Sequence, residues 1–322
     1  MSRKIIIDTD PGVDDGMAIQ FALAAPELEV VALTTIFGNT SIDLTTKNAL
    51  RLLDAAGRPD IPVARGAEKP LLFPFAGGVP FVHGDDGQGN IFRPDSPRQP
   101  IAQTAAEFLV SQINAHPGEL TLVALGPLTN LALALDLDPT IAQKVAEVAI
   151  MGGNAFCGGN ATPAAEANIL GDPDAADRVL GADWPLTMIG LDVTQQVNMK
   201  GNVIAELAEL PGDFNAFVAA TIPFYQNFYE TVNKIDGMYV HDSSVIAALL
   251  APDLFTFRAL PVRVDISWGI GRGKTWPSTG ESDQEDREAL LPWKGRPKVN
   301  VAVDVRGDAV IGLIVDTLRR HS

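Results

Sequence analysis

Cysteine is almost missing from this chain: Cys157 is the single one among 322 residues. No intramolecular disulfide can form, and thiolate-rich zinc or iron–sulfur sites are excluded. Basic residues are scarce as well. The 24 Lys and Arg face 40 Asp and Glu, for a formal charge of −16. Such an excess of acid repels phosphate backbones and anionic lipid, so neither a nucleic-acid polymer nor a membrane is an expected partner. No run approaches the roughly 18 apolar residues that span a bilayer. The first apolar stretch, Ile5-Ile-Ile, is too short for a secretion signal and meets Asp8 at once. A cytoplasmic protein is therefore expected. What remains is an ordinary globular balance, with 46% apolar and 20% charged residues.

Strand and helix signals alternate along the chain. Lys4–Ile7, Val30–Ile36, Leu120–Leu125, Val145–Met151 and Leu186–Ile189 read as strands. Met17–Ala25, a stretch after Asn39-Thr-Ser that ends at Gly57-Arg-Pro, Ala102–Ala115 and Asp174–Leu180 read as helices. This order predicts an α/β fold: a Rossmann-like, mostly parallel central sheet with helices on both faces. Pro70–Pro100 and Trp276–Pro297 read as loops, and the acidic run Glu281–Glu288 as a solvated surface insertion. No repeat, low-complexity linker or boundary interrupts the pattern, so a single domain over 1–322 is expected. Ligands in such folds bind beyond the carboxyl ends of the parallel strands.

That is where the acid concentrates. Asp8-Thr-Asp-Pro-Gly-Val-Asp-Asp puts Asp8, Asp10, Asp14 and Asp15 at the end of the first strand and the start of its helix. Like charges this close cost energy unless a proton, a helix N-terminus or a cation compensates. Capping suits one or two of them; four point to a hard cation. With no His or Cys nearby, oxygen-loving calcium or magnesium is favoured over zinc or copper. An EF-hand does not fit. Counted from Asp8, its twelfth position is Ile19 rather than Glu, and Pro11 sits inside the loop. Phosphatases of the haloacid dehalogenase type also open on Asp-x-Asp, but without a close Asp14-Asp15 pair.

The whole string resembles the N-terminal signature of the inosine–uridine-preferring nucleoside hydrolases. Further motifs follow in the family's order: Phe37-Gly-Asn39, His83-Gly-Asp-Asp-Gly, Ala124-Leu-Gly-Pro-Leu-Thr-Asn130 and Met151-Gly-Gly. Then come Gly159-Asn-Ala-Thr-Pro-Ala-Ala-Glu-Ala-Asn168, Leu191-Asp-Val-Thr194 and His241-Asp242. The resemblance implies calcium-dependent hydrolysis of the N-glycosidic bond of ribonucleosides to ribose and free base. It implies one Ca²⁺ per subunit, held by Asp10, Asp15, Asp242 and the carbonyl of Leu125. It implies a small-molecule nucleoside as partner, and a homodimer or homotetramer.

The same resemblance assigns further roles. Asp10 takes the proton of the attacking water, and Asp14 accepts a ribose hydroxyl. Asn160, Glu166 and Asn168 grip the 5′- and 3′-hydroxyls. Glu166 and Asn168 lie two apart, so an extended segment would point both the same way. Met151 belongs to the same sugar segment, and Asn39 supports Asp10 or a ribose hydroxyl. His241 is the expected general acid for a departing purine, since imidazole titrates near working pH. His83 lies near the base. Tyr225 and Tyr229, four apart on one helical face, would line or close the base pocket. Taken alone, Asp242 also suits the N-cap of a helix over Ser243–Leu250, and the tyrosines suit ordinary packing. Two departures from the family pattern, Gln88 and Ala167, are expected to bear on base preference, and Cys157 reads as a spectator thiol.

Overall fold

The computed structural model describes residues 2–279 and 292–321, so the run Glu281–Glu288 lies outside the described residues. Its strands are β1 (Arg3–Thr9), β2 (Leu28–Thr35), β3 (Val63–Arg65), β4 (Leu120–Ala124), β5 (Glu147–Met151) and β6 (Leu186–Ile189). They continue with β7 (Asn198–Met199), β8 (Met238–Tyr239), β9 (Phe255–Val264), β10 (Thr275–Pro277) and β11 (Lys298–Val305). Among the described residues the central sheet runs β10-β9-β11-β6-β5-β4-β1-β2-β3, and β7 pairs with β8 apart from it. From β11 to β3 every neighbouring pair is parallel. Near one edge β9 is reversed, pairing antiparallel with both β11 and β10. The expected α/β fold with a mostly parallel sheet is the observed one.

The triple isoleucine shows how the sheet is buried on both faces. Ile5 and Ile7 pack into the apolar layer that includes Phe21 and Val245, whereas Ile6 faces the opposite layer with Leu109 and Leu131. Side chains alternate along a strand, so a continuous apolar run is what a strand covered on both faces requires. The order 3-2-1-4-5-6 reverses direction between β1 and β4. That switch point leaves a crevice beyond their carboxyl ends, and Asp8–Asp15 and Leu125 stand at its floor.

Two expectations about local structure are corrected. The first helix spans Val13–Ala24 rather than starting at Met17, so Asp14 and Asp15 occupy its first turn. Gly12 is its N-cap, and the Asp15 carboxylate accepts the Gly12 N–H at 3.0 Å. At the other end of the chain, Thr275–Pro277 is a strand rather than the beginning of a loop. It pairs with Val262–Val264 of β9.

Candidate active site

The crevice opens into a cavity of about 340 Å³. Asp14, Asp242, Leu125, Met151, Asn168 and Glu166 line its deep end. Asn39, His83, Asn160, Tyr225, Tyr229 and His241 line the rest. Asp15 lies beneath the wall. Asp10 faces an adjoining cavity of about 320 Å³, which shares Asn39, Ala167 and Asn168 with the first.

Three carboxylates converge at the floor. Oxygens of Asp14, Asp15 and Asp242 lie within 4.8 Å of one another, all three residues buried. Burial, followed for Asp15 by the Asp14 charge, pushes Asp14 and Asp15 up to about pH 6. Asp242 is raised well above the carboxylate range by burial and by Asp14, Asp15 and Asp10 in turn. Asp10 is raised by burial and by Asp15. Its Oδ2 accepts the Asn39 N–H at 2.7 Å, while its buried Oδ1 has no hydrogen-bond partner. Crowded, partly unpartnered carboxylates of this kind fit a bound hard cation, which removes both the repulsion and the desolvation cost. The donor set is all oxygen, and Leu125, whose carbonyl accepts Asn168 Nδ2, lines the same cavity. The family-implied ligand set names Asp10; the tightest trio in the structure has Asp14 in that place.

Asn39 ties the acidic loop together. Its Nδ2 donates to the Asp10 carbonyl at 3.2 Å and to Asp15 Oδ2 at 3.0 Å. Thr9 Oγ1 donates to the other Asp15 oxygen at 2.5 Å. Behind them Asp8 is fully buried and raised to about pH 7 by desolvation. One of its oxygens accepts Thr34 at 2.5 Å and Asn130 at 2.7 Å.

On the sugar side the extended segment expected over Glu166–Asn168 is not formed. Glu166 is the N-cap of a short helix, Ala167–Gly171. Its carboxylate accepts from the N–H groups of Asn168 (2.8 Å), Ile169 (3.0 Å) and Gly153 (2.9 Å). A carboxylate gains charge-assisted bonds at a helix N-terminus, and that outweighs the pleat. Asn168 Nδ2 donates to the carbonyls of Leu125 (2.7 Å) and Met151 (3.1 Å). Asn160 Oδ1 accepts the Ala167 N–H at 3.0 Å.

The other end of the cavity is aromatic. The helix Asp213–Phe228 carries Tyr225 and, one turn on at its C-cap, Tyr229, whose N–H still bonds the Tyr225 carbonyl; a π-helical turn, Tyr229–Asn233, comes next. A chain of hydrogen bonds follows. Tyr225 donates its hydroxyl to Asp14 Oδ2 at 3.0 Å, the two tyrosine hydroxyls lie 3.2 Å apart, and Tyr229 meets His241 Nε2 at 2.9 Å. His241 Nδ1 pairs with Thr194 Oγ1 at 2.7 Å. Both nitrogens of His241 are therefore engaged by hydroxyls, and burial brings its pKa down to about 4. His83 Nδ1 accepts the Val13 N–H at 3.2 Å, which leaves its proton on Nε2. Burial lowers its pKa to about 4 as well.

The match with known proteins covers nearly the whole chain. The family model described as inosine-uridine preferring nucleoside hydrolase aligns with residues 5–312. The chain belongs to the inosine–uridine-preferring nucleoside hydrolase family. It is 44% identical to a probable uridine nucleosidase 2 of Arabidopsis thaliana, over 98% of this chain and 97% of that one. With an inosine-uridine preferring nucleoside hydrolase of Crithidia fasciculata the identity is 32%, over 99% and 98%. A solved plant nucleoside hydrolase superposes with TM-score 0.93 at 41% identity, covering 99% of both chains. Family membership makes the protein a nucleosidase, an enzyme that hydrolyses N-glycosidic bonds.

Against that family background three features stand out that sequence reasoning left without a role. Thr194, quoted only as part of a motif, is the hydroxyl on His241. Asn130 is buried, and besides Asp8 it serves the Thr35 carbonyl at 2.9 Å and the Ala67 N–H at 2.9 Å. Asp192 and Lys274 hydrogen-bond to the backbone of the sugar-side loop at Asn154–Cys157. Of the two departures from the family pattern, Ala167 lines the cavity, whereas Gln88 is buried away from its wall.

Proposed function

We propose that this nucleosidase forms one domain over 1–322 and cleaves ribonucleosides, uridine and inosine among them, with one calcium ion at the carboxylate floor. The observation that carries the reading is the convergence of Asp14, Asp15 and Asp242 at the floor of a cavity that the Tyr–His chain also lines. The relatives' names as uridine nucleosidases and inosine-uridine preferring hydrolases support the substrate range. A phosphorylated substrate is disfavoured: no Lys or Arg lines the cavity among the described residues.

Asp15, Asp242, Asp10 and the Leu125 carbonyl would hold the ion, with Asp14 beside them. When bound, the ion supplies positive charge that offsets these carboxylates, suits a vicinal diol and acidifies water. Asp10 is fixed by Asn39 through one oxygen, and its other oxygen, buried and without a hydrogen-bond partner, would take the proton of the attacking water. The carboxylates also favour the positive charge that develops on the sugar ring as the bond to the base stretches. Asn160, Asn168 and Glu166 orient the sugar. Glu166 keeps two oxygens on backbone N–H groups and serves the sugar mainly by holding the segment that carries Asn168. The base departs beside Tyr229 and His241, whose hydroxyl and imidazole protons supply the donor for the ring atom that gains negative charge. His83 presents its Nε2–H to the same space.

Product analysis tests the reading. Inosine, uridine, cytidine and adenosine are incubated with the calcium-loaded protein, and base and free ribose are separated. Equal amounts of ribose and base from at least one nucleoside are expected. Intact substrate throughout contradicts it.

A further inference from the structure

We infer that Asp192 and Lys274 are positioning residues, which grip the turn Asn154–Cys157 from two sides and through it place Asn160 at the sugar. The inference rests on the nucleoside reading above. After β5 the chain leaves the sheet at Gly152-Gly153, runs out to Asn160 and returns at Glu166. Along Asn154–Cys157 its backbone polar groups are met by side chains from remote elements. The Asp192 carboxylate takes the N–H of Ala155 on one oxygen and of Phe156 on the other, both at 2.7 Å. The Lys274 ammonium donates to the carbonyls of Asn154 and Cys157, the latter at 2.8 Å. Thr275, the next residue, accepts the Asn154 N–H at 2.8 Å. Asn154 Nδ2 then bridges to the carbonyls of Cys157 (3.1 Å) and Ala164 (2.8 Å), tying the outgoing limb to the returning one.

The two grips are not interchangeable with packing. Lys274 is only 9% exposed, and burial lowers its pKa. An apolar side chain of similar length would fill that position without the cost of burying a charge. What the ammonium adds is two carbonyls fixed at one point. Asp192 belongs to the single helical turn Leu191–Thr194, which is docked on the same loop through Leu191 N–H to the Gly153 carbonyl at 2.8 Å. Two residues on, Thr194 holds His241. One turn thus braces the sugar side and the base side together. A loop released at Asn154–Cys157 would let Asn160 drift, and a misplacement of about 1 Å can cost on the order of 10²-fold in rate.

A double-mutant cycle on the full, calcium-loaded chain separates this role from a general loss of stability. Lys274→Met and Asp192→Ala are each expected to lower kcat/KM on uridine by roughly 10-fold or more. In an Asn160→Ala background the same substitutions should change it by less than about 3-fold. Asp192→Asn keeps shape and one acceptor, and it should lie between wild type and Asp192→Ala. It carries the test if the larger changes prevent folding. Equal losses with and without Asn160, or no loss in the wild-type background, overturn the positioning role. If Asn160→Ala itself is fully active, the sugar contact and this inference fall together. If the wild-type chain releases no ribose, the failure lies with the nucleoside reading instead.

Discussion

Asp10→Asn is the perturbation that separates catalysis from stability most cleanly. The change keeps the size of the side chain and an oxygen for the Asn39 N–H, which now meets it at 2.7 Å. It removes the proton acceptor and one buried charge. The loss of a general base costs on the order of 10²–10⁴-fold. Asp10 is also one of the proposed ligands, so the variant is assayed at saturating calcium, where kcat should fall by at least about 10² while Asp14, Asn160 and Asn168 still meet the sugar. Stability should behave differently. In the cation-free protein the Asp10 carboxylate is disfavoured by burial and by Asp15, so neutralising it relieves a cost. Against that stands the new amide N–H₂ at the place of Oδ1, an unpartnered donor worth about 1–3 kcal/mol. The two effects are of similar size, so the chelator-treated variant should melt within about 4 °C of wild type. The assay is ribose release at saturating and limiting uridine, paired with calorimetry in chelator. Activity within about 3-fold of wild type, or a melting point lower by roughly 10 °C or more, would refute the reasoning.

Three further outcomes follow from the site. His241→Ala breaks the chain to Tyr229 and Thr194, and should lower inosine hydrolysis by roughly 10²-fold and uridine hydrolysis by less; equal losses would show that the chain does not discriminate between bases. Asn130→Ala strips a donor from buried Asp8 and orphans two backbone groups, so it should cost about 2–4 kcal/mol in urea unfolding; a change below about 0.5 kcal/mol would refute that. The chelated protein should lose stability as pH rises. Asp14 and Asp15 bind protons more tightly when folded, since their folded pKa is about 6 against an ordinary value near 4. Their contribution is therefore fullest below about pH 4 and lost as pH passes 6. Added calcium should raise the melting point more at pH 7.5 than at pH 5, and a shift independent of pH would contradict this.

Much of the fold was legible because local signals agreed with the sheet. Ile5-Ile-Ile is apolar at consecutive positions, which only a doubly covered strand or buried helix needs, and Asp8 ends the run at the switch point. The acidic string was legible for the same reason: carboxylates that repel one another must share a compensating partner. What escaped was set by contacts far apart in sequence. The helix begins early, at Val13, where the Asp15 carboxylate accepts the Gly12 N–H, a bond invisible to apolar periodicity. Glu166 chose a helix N-terminus over a pleat. Phe255–Val264 forms a strand between β10 and β11 whose burial alternates imperfectly, so its period was weak. Tyr229 reaches His241 from the C-terminal end of the helix Asp213–Phe228, and the partner it meets there lies twelve residues further on, beyond any local signal.

The most direct test of the central claim is the calcium dependence of ribose release. The protein is freed of metal with chelator, dialysed, and assayed with uridine and inosine while calcium is returned in steps. Loss of activity below about 1% of the loaded enzyme, restored as one ion binds per chain, is the expected result. Full activity in the chelated protein, with no metal detected by elemental analysis, would contradict it.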